Sequence, residues 1–88
     1  MPRVWRRMAR TRETPCYNIG TASRLTGIPV WTLRWIERHA LIHPKRTGGN
    51  QRLFSENDLE RLEAIRELME RRVNLEGIRI ILTMRGRP

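Results

Sequence analysis

The side chains of this sequence best equipped for chemistry are its cations. Arg34 and Arg38 stand four positions apart, one turn of a helix, and Lys45, Arg46 and Arg52 flank the turn cluster Thr47-Gly48-Gly49-Asn50. Guanidinium and ammonium groups bind phosphate oxygens through charge-assisted hydrogen bonds. A glycine-rich turn lets the backbone approach a phosphate closely. The chemistry implied is recognition of a polyanion, not catalysis. The sequence has no carboxylate pair, no nucleophile–base set and no glycine-rich nucleotide motif. His39 and His43 share a spacing of four, but the helix carrying His39 is expected to end between them, and a metal site needs more ligands. Cys16 has no CxxC partner and reads as an inert thiol. Neither an enzyme nor a cofactor is expected.

The charge distribution sharpens this. The 88 residues carry a net charge of +9. Met1–Thr14 has five arginines against Glu13, a net of +4; Pro15–Ser55 has six cations against Glu37, a net of +5; Glu56–Pro88 has seven of each sign. The whole excess lies in the N-terminal two thirds, an asymmetry natural to a protein that meets DNA or RNA. A solvated surface or a membrane-attracted arm is the bland alternative. The length suits one domain. The longest apolar run, Ile28–Trp31, is far too short to span a membrane. The arginines near the start are followed by no apolar stretch of a signal peptide. A single cysteine permits no internal disulfide and fits a reducing compartment. The expected location is the cytoplasm.

The elements that position these cations follow from periodicity. Residues 1–16 read as a basic N-terminal arm, expected to be flexible, although Val4, Trp5 and Met8 are spaced to line one face of a short helix. Residues 17–86 form the domain. Ile19–Thr26 reads as a helix with Gly20 as N-cap, Ala22 and Leu25 facing inward, and Gly27 as its left-handed stop. Ile28 returns to the core. Pro29 sits at or just before the start of a second helix, Val30–His39, with Leu33 and Ile36 inward. Two short helices joined by a glycine turn make a helix-turn-helix pattern. Trp31 and Trp35 lie on one side of the second helix, free either to pack on sugars or the wing or to complete the core. Arg34 is either a reader of bases or phosphates or a surface partner of Glu37.

Leu41–Phe54 reads as two extended segments around the Thr47–Asn50 turn, a basic wing. Ser55 opens a third helix with a capping box, Ser55-Glu56-Asn57-Asp58, whose apolar face is Leu59, Leu62, Ile65, Leu68 and Met69. Glu67 and Arg71 form an i, i+4 pair. Asn74 caps a fourth helix with Leu75, Ile78, Ile81 and Leu82 inward, stopped by Gly86 and Pro88. The fold class is therefore mainly α: a winged helix-turn-helix of four helices and a small β-hairpin.

The ordered set of motifs resembles the MerR-type regulators. It comprises Tyr17-x-Ile19-Gly20-x-Ala22, Leu25-Thr26-Gly27-Ile28, Thr32-Leu33-Arg34-x-x-Glu37 and Leu41-Ile42-x-Pro44-x-Arg46. It continues with Arg52-Leu53-Phe54-Ser55, Asp58-Leu59-x-Arg61-Leu62 and Asn74-Leu75-x-Gly77-Ile78-x-x-Ile81-Leu82. Gly49–Ser55 is most similar to the nitrogen-regulator branch, and Val73–Ile78 also to the heat-shock-repressor branch. The resemblance implies a winged helix, double-stranded DNA as partner, a homodimer on a palindromic site, and distortion of promoter DNA. It implies DNA contacts from Thr32, Arg34, Trp35, Lys45, Arg46 and Arg52; Arg38, a further cation of the second helix, joins that set.

The sequence departs from the family at Trp35 and Ile36, where members carry a tyrosine pair, at Pro29, where they carry a capping Ser or Thr, and at Leu53, where they carry a second wing arginine. The long dimerisation helix and effector domain of members have no counterpart in these 88 residues, so ligand sensing is not carried over. Dimerisation is expected to need another surface, with a monomer when free and the arm either aiding pairing on DNA or adding only non-specific affinity. Contact with RNA polymerase is left open. Two rival classes are an excisionase-like architectural factor and an RNA-binding module; the latter's usual exposed aromatic platform is not evident in the sequence.

Overall fold

In the computed structural model, which describes residues 11–85, four helices and one short hairpin follow in the order α1 (Ile19–Thr26), α2 (Val30–Arg38), β1 (Lys45–Arg46), β2 (Arg52–Leu53), α3 (Glu56–Glu70) and α4 (Leu75–Arg85). The core is built where apolar positions of all these pieces converge. Ala22 and Ile28 come from α1 and its turn, Leu33 and Ile36 from α2, Leu41, Ile42 and Phe54 from the wing segment, and Leu62, Ile65, Leu68, Ile78 and Leu82 from α3 and α4. No described helix is long and apolar enough to cross a membrane.

Two inward assignments are corrected. Leu25 is 54% exposed and Met69 37% exposed. Both satisfy the helical period, but no neighbouring element covers that edge of the stripe. In place of Leu25, α1 buries Thr26, whose hydroxyl donates to the Ala22 carbonyl at 2.7 Å and accepts from the Ile28 amide at 3.3 Å. That pair of bonds satisfies a buried polar group and fixes the turn into α2. The N-cap of α1 is also corrected: it is Asn18, whose Oδ1 accepts from the Thr21 amide at 2.8 Å, and not Gly20. Gly27 does adopt the left-handed conformation, with φ 77°.

The ends of α2 and α3 show a device that the sequence conceals. After α2 the Ala40 amide donates to Glu37 and the Leu41 amide to Ile36, with Ala40 at φ 60°. After α3 the Arg72 amide donates to Met69 and the Val73 amide to Leu68, with Arg72 at φ 62°. Both are Schellman terminations in which a side-chain-bearing residue occupies the left-handed position that favours glycine. The α2 termination turns the chain sharply so that Leu41 and Ile42 enter the core and launch the wing.

The capping box at Ser55 forms as expected, with Ser55 Oγ accepting from the Asp58 amide and Asp58 Oδ2 accepting from the Ser55 amide. Asn74 caps α4 by accepting from the Gly77 amide at 2.8 Å. Of the segment expected to be a free arm, residues 1–10, Val4, Trp5 and Met8 among them, lie outside the described residues. Residues 11–16, in contrast, are held down. Arg12 donates to Asn57 at 3.0 Å and to Glu60 at 2.7 Å, and its carbonyl accepts from the Asn57 amide. Cys16 and Tyr17 donate their amides to the Phe54 carbonyl, and Phe54 returns a bond to Tyr17. The first turn of α3 and the end of β2 thus hold a segment far away in sequence.

Candidate nucleic-acid interface

The helix-turn-helix half of the candidate interface is α2. Its inward side is taken by Leu33 and Ile36, so the opposite side faces out. The Arg34 and Arg38 side chains are exposed there and make no hydrogen bond or ion pair with another described residue. Thr32 is half-buried near the start of the helix. Trp35 is half-buried, packed against the core and against the His39 ring at a centroid distance of 4.4 Å. Trp31 diverges from it and is exposed, so the two indoles do not share one environment. Ile36 turns fully inward, as the replacement of an aromatic by an aliphatic residue suggests. Pro29 supplies no side-chain cap to α2.

The wing half is the hairpin β1–β2, antiparallel with Lys45 opposite Leu53 and Arg46 opposite Arg52. Two arginines directly across a ladder repel. Glu37 resolves the repulsion: its Oε2 accepts from Arg46 Nη2 at 3.0 Å and its Oε1 accepts from Arg52 Nε. Glu37 is only 18% exposed. Burial alone would push its carboxyl up, but the bonds from Arg52 and Arg46, with their charges, outweigh that and hold it below the ordinary glutamate value. The carboxylate is therefore a brace between α2 and the wing. Arg46 also reaches the tip, donating through Nη1 to the Asn50 carbonyl at 3.2 Å and to its side chain at 3.3 Å. The Lys45 side chain is exposed and makes no hydrogen bond or ion pair with another described residue.

The tip closes with the Asn50 amide donating to Thr47 at 2.8 Å and the Thr47 hydroxyl accepting from Gly49 and Gln51. The left-handed residue of the tip is Asn50, at φ 65°, rather than either glycine. Neither the φ nor the surroundings of Gly48 demand a glycine, since a Cβ there would meet nothing within 4 Å.

The structure thus brings Arg34 and Arg38 to α2's outward side and Lys45, Arg46 and Arg52 to the hairpin, and leaves Thr32 and Trp35 half-buried on α2. It separates Arg34, Arg38 and Lys45, whose charges are uncompensated among the described residues, from Arg46 and Arg52, which are tied to Glu37. Sequence reasoning missed two supporting residues. One is Glu37 as brace, signalled by its being the only acid in Pro15–Ser55. The other is Arg61, whose Nε donates to the Leu41 carbonyl at 2.7 Å and props the root of the wing from α3. Among the described residues no group of three or more His, Cys, Asp or Glu is arranged to hold a metal ion.

A two-helix corner followed by a braced basic hairpin, on a two-helix scaffold, defines a winged helix-turn-helix domain. The chain belongs to the MerR HTH family of regulatory proteins, whose family model matches residues 17–85. It is 39% identical over 74 residues to the HTH-type transcriptional regulator GlnR of Bacillus anthracis, an overlap of 84% of this chain and 57% of that one. It is 36% identical over 73 residues to the HTH-type transcriptional regulator ZntR of Escherichia coli K12, covering 82% of this chain and 52% of the relative. The chain therefore spans a little over half the length of these relatives. Among solved structures it matches HiNmlR, a MerR family regulator lacking the sensor domain, bound to promoter DNA. The TM-score is 0.72 at 26% identity, over 81% of this chain and 56% of that one.

Proposed function

We propose that this chain is the DNA-binding unit of a bacterial transcriptional regulator, acting in the cytoplasm, with α2 in the major groove of duplex DNA and the wing on the backbone. The observation that carries the reading is the set of uncompensated cations, Arg34, Arg38 and Lys45, on the outward side of α2 and the adjoining hairpin. Family membership and the DNA-bound state of the HiNmlR structure support it. In this reading Arg34 and Thr32 meet base edges from the early part of α2, and Arg38 and Lys45 meet phosphates. Trp35 presents its exposed edge to the sugar–phosphate chain. Arg46 and Arg52 work mainly by holding the hairpin against α2, and the share of Arg46 that stays exposed reaches a phosphate.

Two protomers occupy a palindromic site, each using one half. The test is selection of sites from a random duplex library with the purified chain, followed by footprinting and competition with structured RNA. A single palindromic footprint resistant to RNA is expected. Several tandem sites, or preferential loss of the complex to RNA, would contradict the reading.

A further inference from the structure

The packing of α2 leaves one large side chain without a structural purpose. Its inward positions are filled by Leu33 and Ile36. At about 100° per residue, Trp31 lies roughly 160° from Leu33 and 140° from Ile36, almost opposite both. It is 72% exposed, and it makes no hydrogen bond or ring contact with another described residue. Its neighbours on that face are Arg34, three positions on, and Arg38, seven positions on, both exposed and unpaired among the described residues. An indole centred on a cationic helix face contributes nothing to the core, so its use lies with whatever that face meets.

We infer that Trp31 is a specificity-determining residue that reads thymine, by contact of its indole with the C5-methyl group in the major groove. The inference rests on the DNA reading above. First-turn residues of a recognition helix meet base edges, and Trp31 is the second residue of α2. Hydrogen-bond donors and acceptors make up the rest of the major-groove code, whereas the thymine methyl is its apolar element. An indole offers a broad apolar face with a single N–H donor, a poor match to purine acceptor pairs and a good one to a methyl group. The two arginines argue against the competing occupants. A second copy of the same face would bring four guanidinium groups together, and an apolar protein groove would have to desolvate two unpaired charges. A polyanion with methyl groups on its floor satisfies both the indole and the arginines.

The experiment uses the full chain and its selected duplex site. Each thymine in turn is replaced by deoxyuridine, which removes only the methyl group. In the wild type, one or two replacements per half-site are expected to weaken binding about fourfold each, the equivalent of one buried methyl group. In Trp31→Ala the same replacements are expected to change nothing, and in Trp31→Phe the sensitivity persists in weaker form. Trp31→Phe decides the matter if Trp31→Ala folds poorly. No thymine sensitivity, or equal sensitivity in wild type and variants, overturns the inference while leaving the DNA reading intact. Unchanged DNA binding by Trp31→Ala with loss of self-association in sedimentation assigns the indole to protein contact and also overturns it. Failure to select any duplex site refutes the DNA reading itself, and the inference with it.

Discussion

The two halves of this domain both carry many arginines, yet they treat them differently. Along α3 and its end, Arg66 pairs with Glu70 and Arg71 with Glu67, each one helical turn apart, while Arg61 is committed to the Leu41 carbonyl. Across α2 and β1, Arg34, Arg38 and Lys45 have no partner among the described residues, and the local acid, Glu37, is already shared by Arg46 and Arg52. Arg72, Arg79 and Arg85 also lack an ion pair among the described residues, but they belong to a stretch, Glu56–Pro88, whose seven cations are matched by seven acids. What sets the proposed binding face apart is a local excess of cations over acids. The charge-balanced half, α3 and α4, contributes Leu62, Ile65, Ile78 and Leu82 to the core. The cation-rich half, α2 and the hairpin, presents its charge outward because its acids are too few and its inward positions are apolar.

The strongest way to break this contrast is to remove the brace between α2 and the wing. Glu37→Gln leaves Arg46 and Arg52 facing each other across the hairpin with no carboxylate between them. We expect a stability loss of about 1.5–3 kcal/mol, the scale of hydrogen bonds to a charged group, read by urea unfolding at neutral pH. Binding to random DNA should tighten while discrimination for the selected site falls, because the wing gains net charge and loses its fixed position. The pH dependence follows from the lowered folded-state value of Glu37. Its stabilisation is fully present above the unfolded value of about 4.3 and disappears as pH falls through the folded value. Glu37→Gln should lack that component of acid destabilisation, and an unchanged acid profile would show that the brace is energetically silent.

A second comparison sets an unpaired arginine against a paired one. Arg34→Ala is expected to cost about 1–3 kcal/mol in binding the selected site, the range for a base-reading arginine, with the melting temperature unchanged. Arg71→Ala should leave binding untouched and change stability by less than about 0.5 kcal/mol, since its pair with Glu67 is solvent-exposed. Titrations followed by fluorescence anisotropy, with thermal melts of the same samples, read both. Equal binding losses in the two variants would erase the distinction between the halves. The smallest effect concerns the turn that launches the wing. Ala40 holds the left-handed position of a Schellman termination at φ 60°. Ala40→Gly should therefore stabilise the domain by about 0.5–1 kcal/mol, relief of left-handed strain less the added freedom of the unfolded chain.

Much of the fold was legible because its signals are local. Leu33 and Ile36 repeat at helical spacing, Ser55 and Asp58 form a capping box within four residues, and Gly27 marks a left-handed stop. The errors arose where an answer depended on a distant neighbour. Leu25 and Met69 fit their helical stripes, but burial depends on whether another element lies over them. Asn18 and Gly20 are both acceptable caps, and only the actual start of α1 decides between them. Residues 11–16 looked unattached because the partners of Arg12, Asn57 and Glu60, are 45 and 48 positions away. The candidate site was legible as a set of cations and a glycine-rich turn. Which of those cations are tied down was not, because Glu37 meets Arg46 and Arg52 only when the hairpin folds back on α2. The two tryptophans were indistinguishable by spacing; a small difference in angle about the helix leaves Trp35 half-buried and Trp31 exposed.

The most direct test of the central claim is the salt dependence of binding to the selected duplex, measured by anisotropy over a range of potassium chloride concentrations. Each phosphate neutralised contributes a slope of about −0.9 in log affinity against log salt. A steep negative slope is predicted for the wild type, and it should become shallower by about one phosphate's contribution when Lys45 is replaced by alanine. The same replacement at Arg71 should leave the slope unchanged. A nearly flat slope, or equal reductions from Lys45→Ala and Arg71→Ala, would contradict the account.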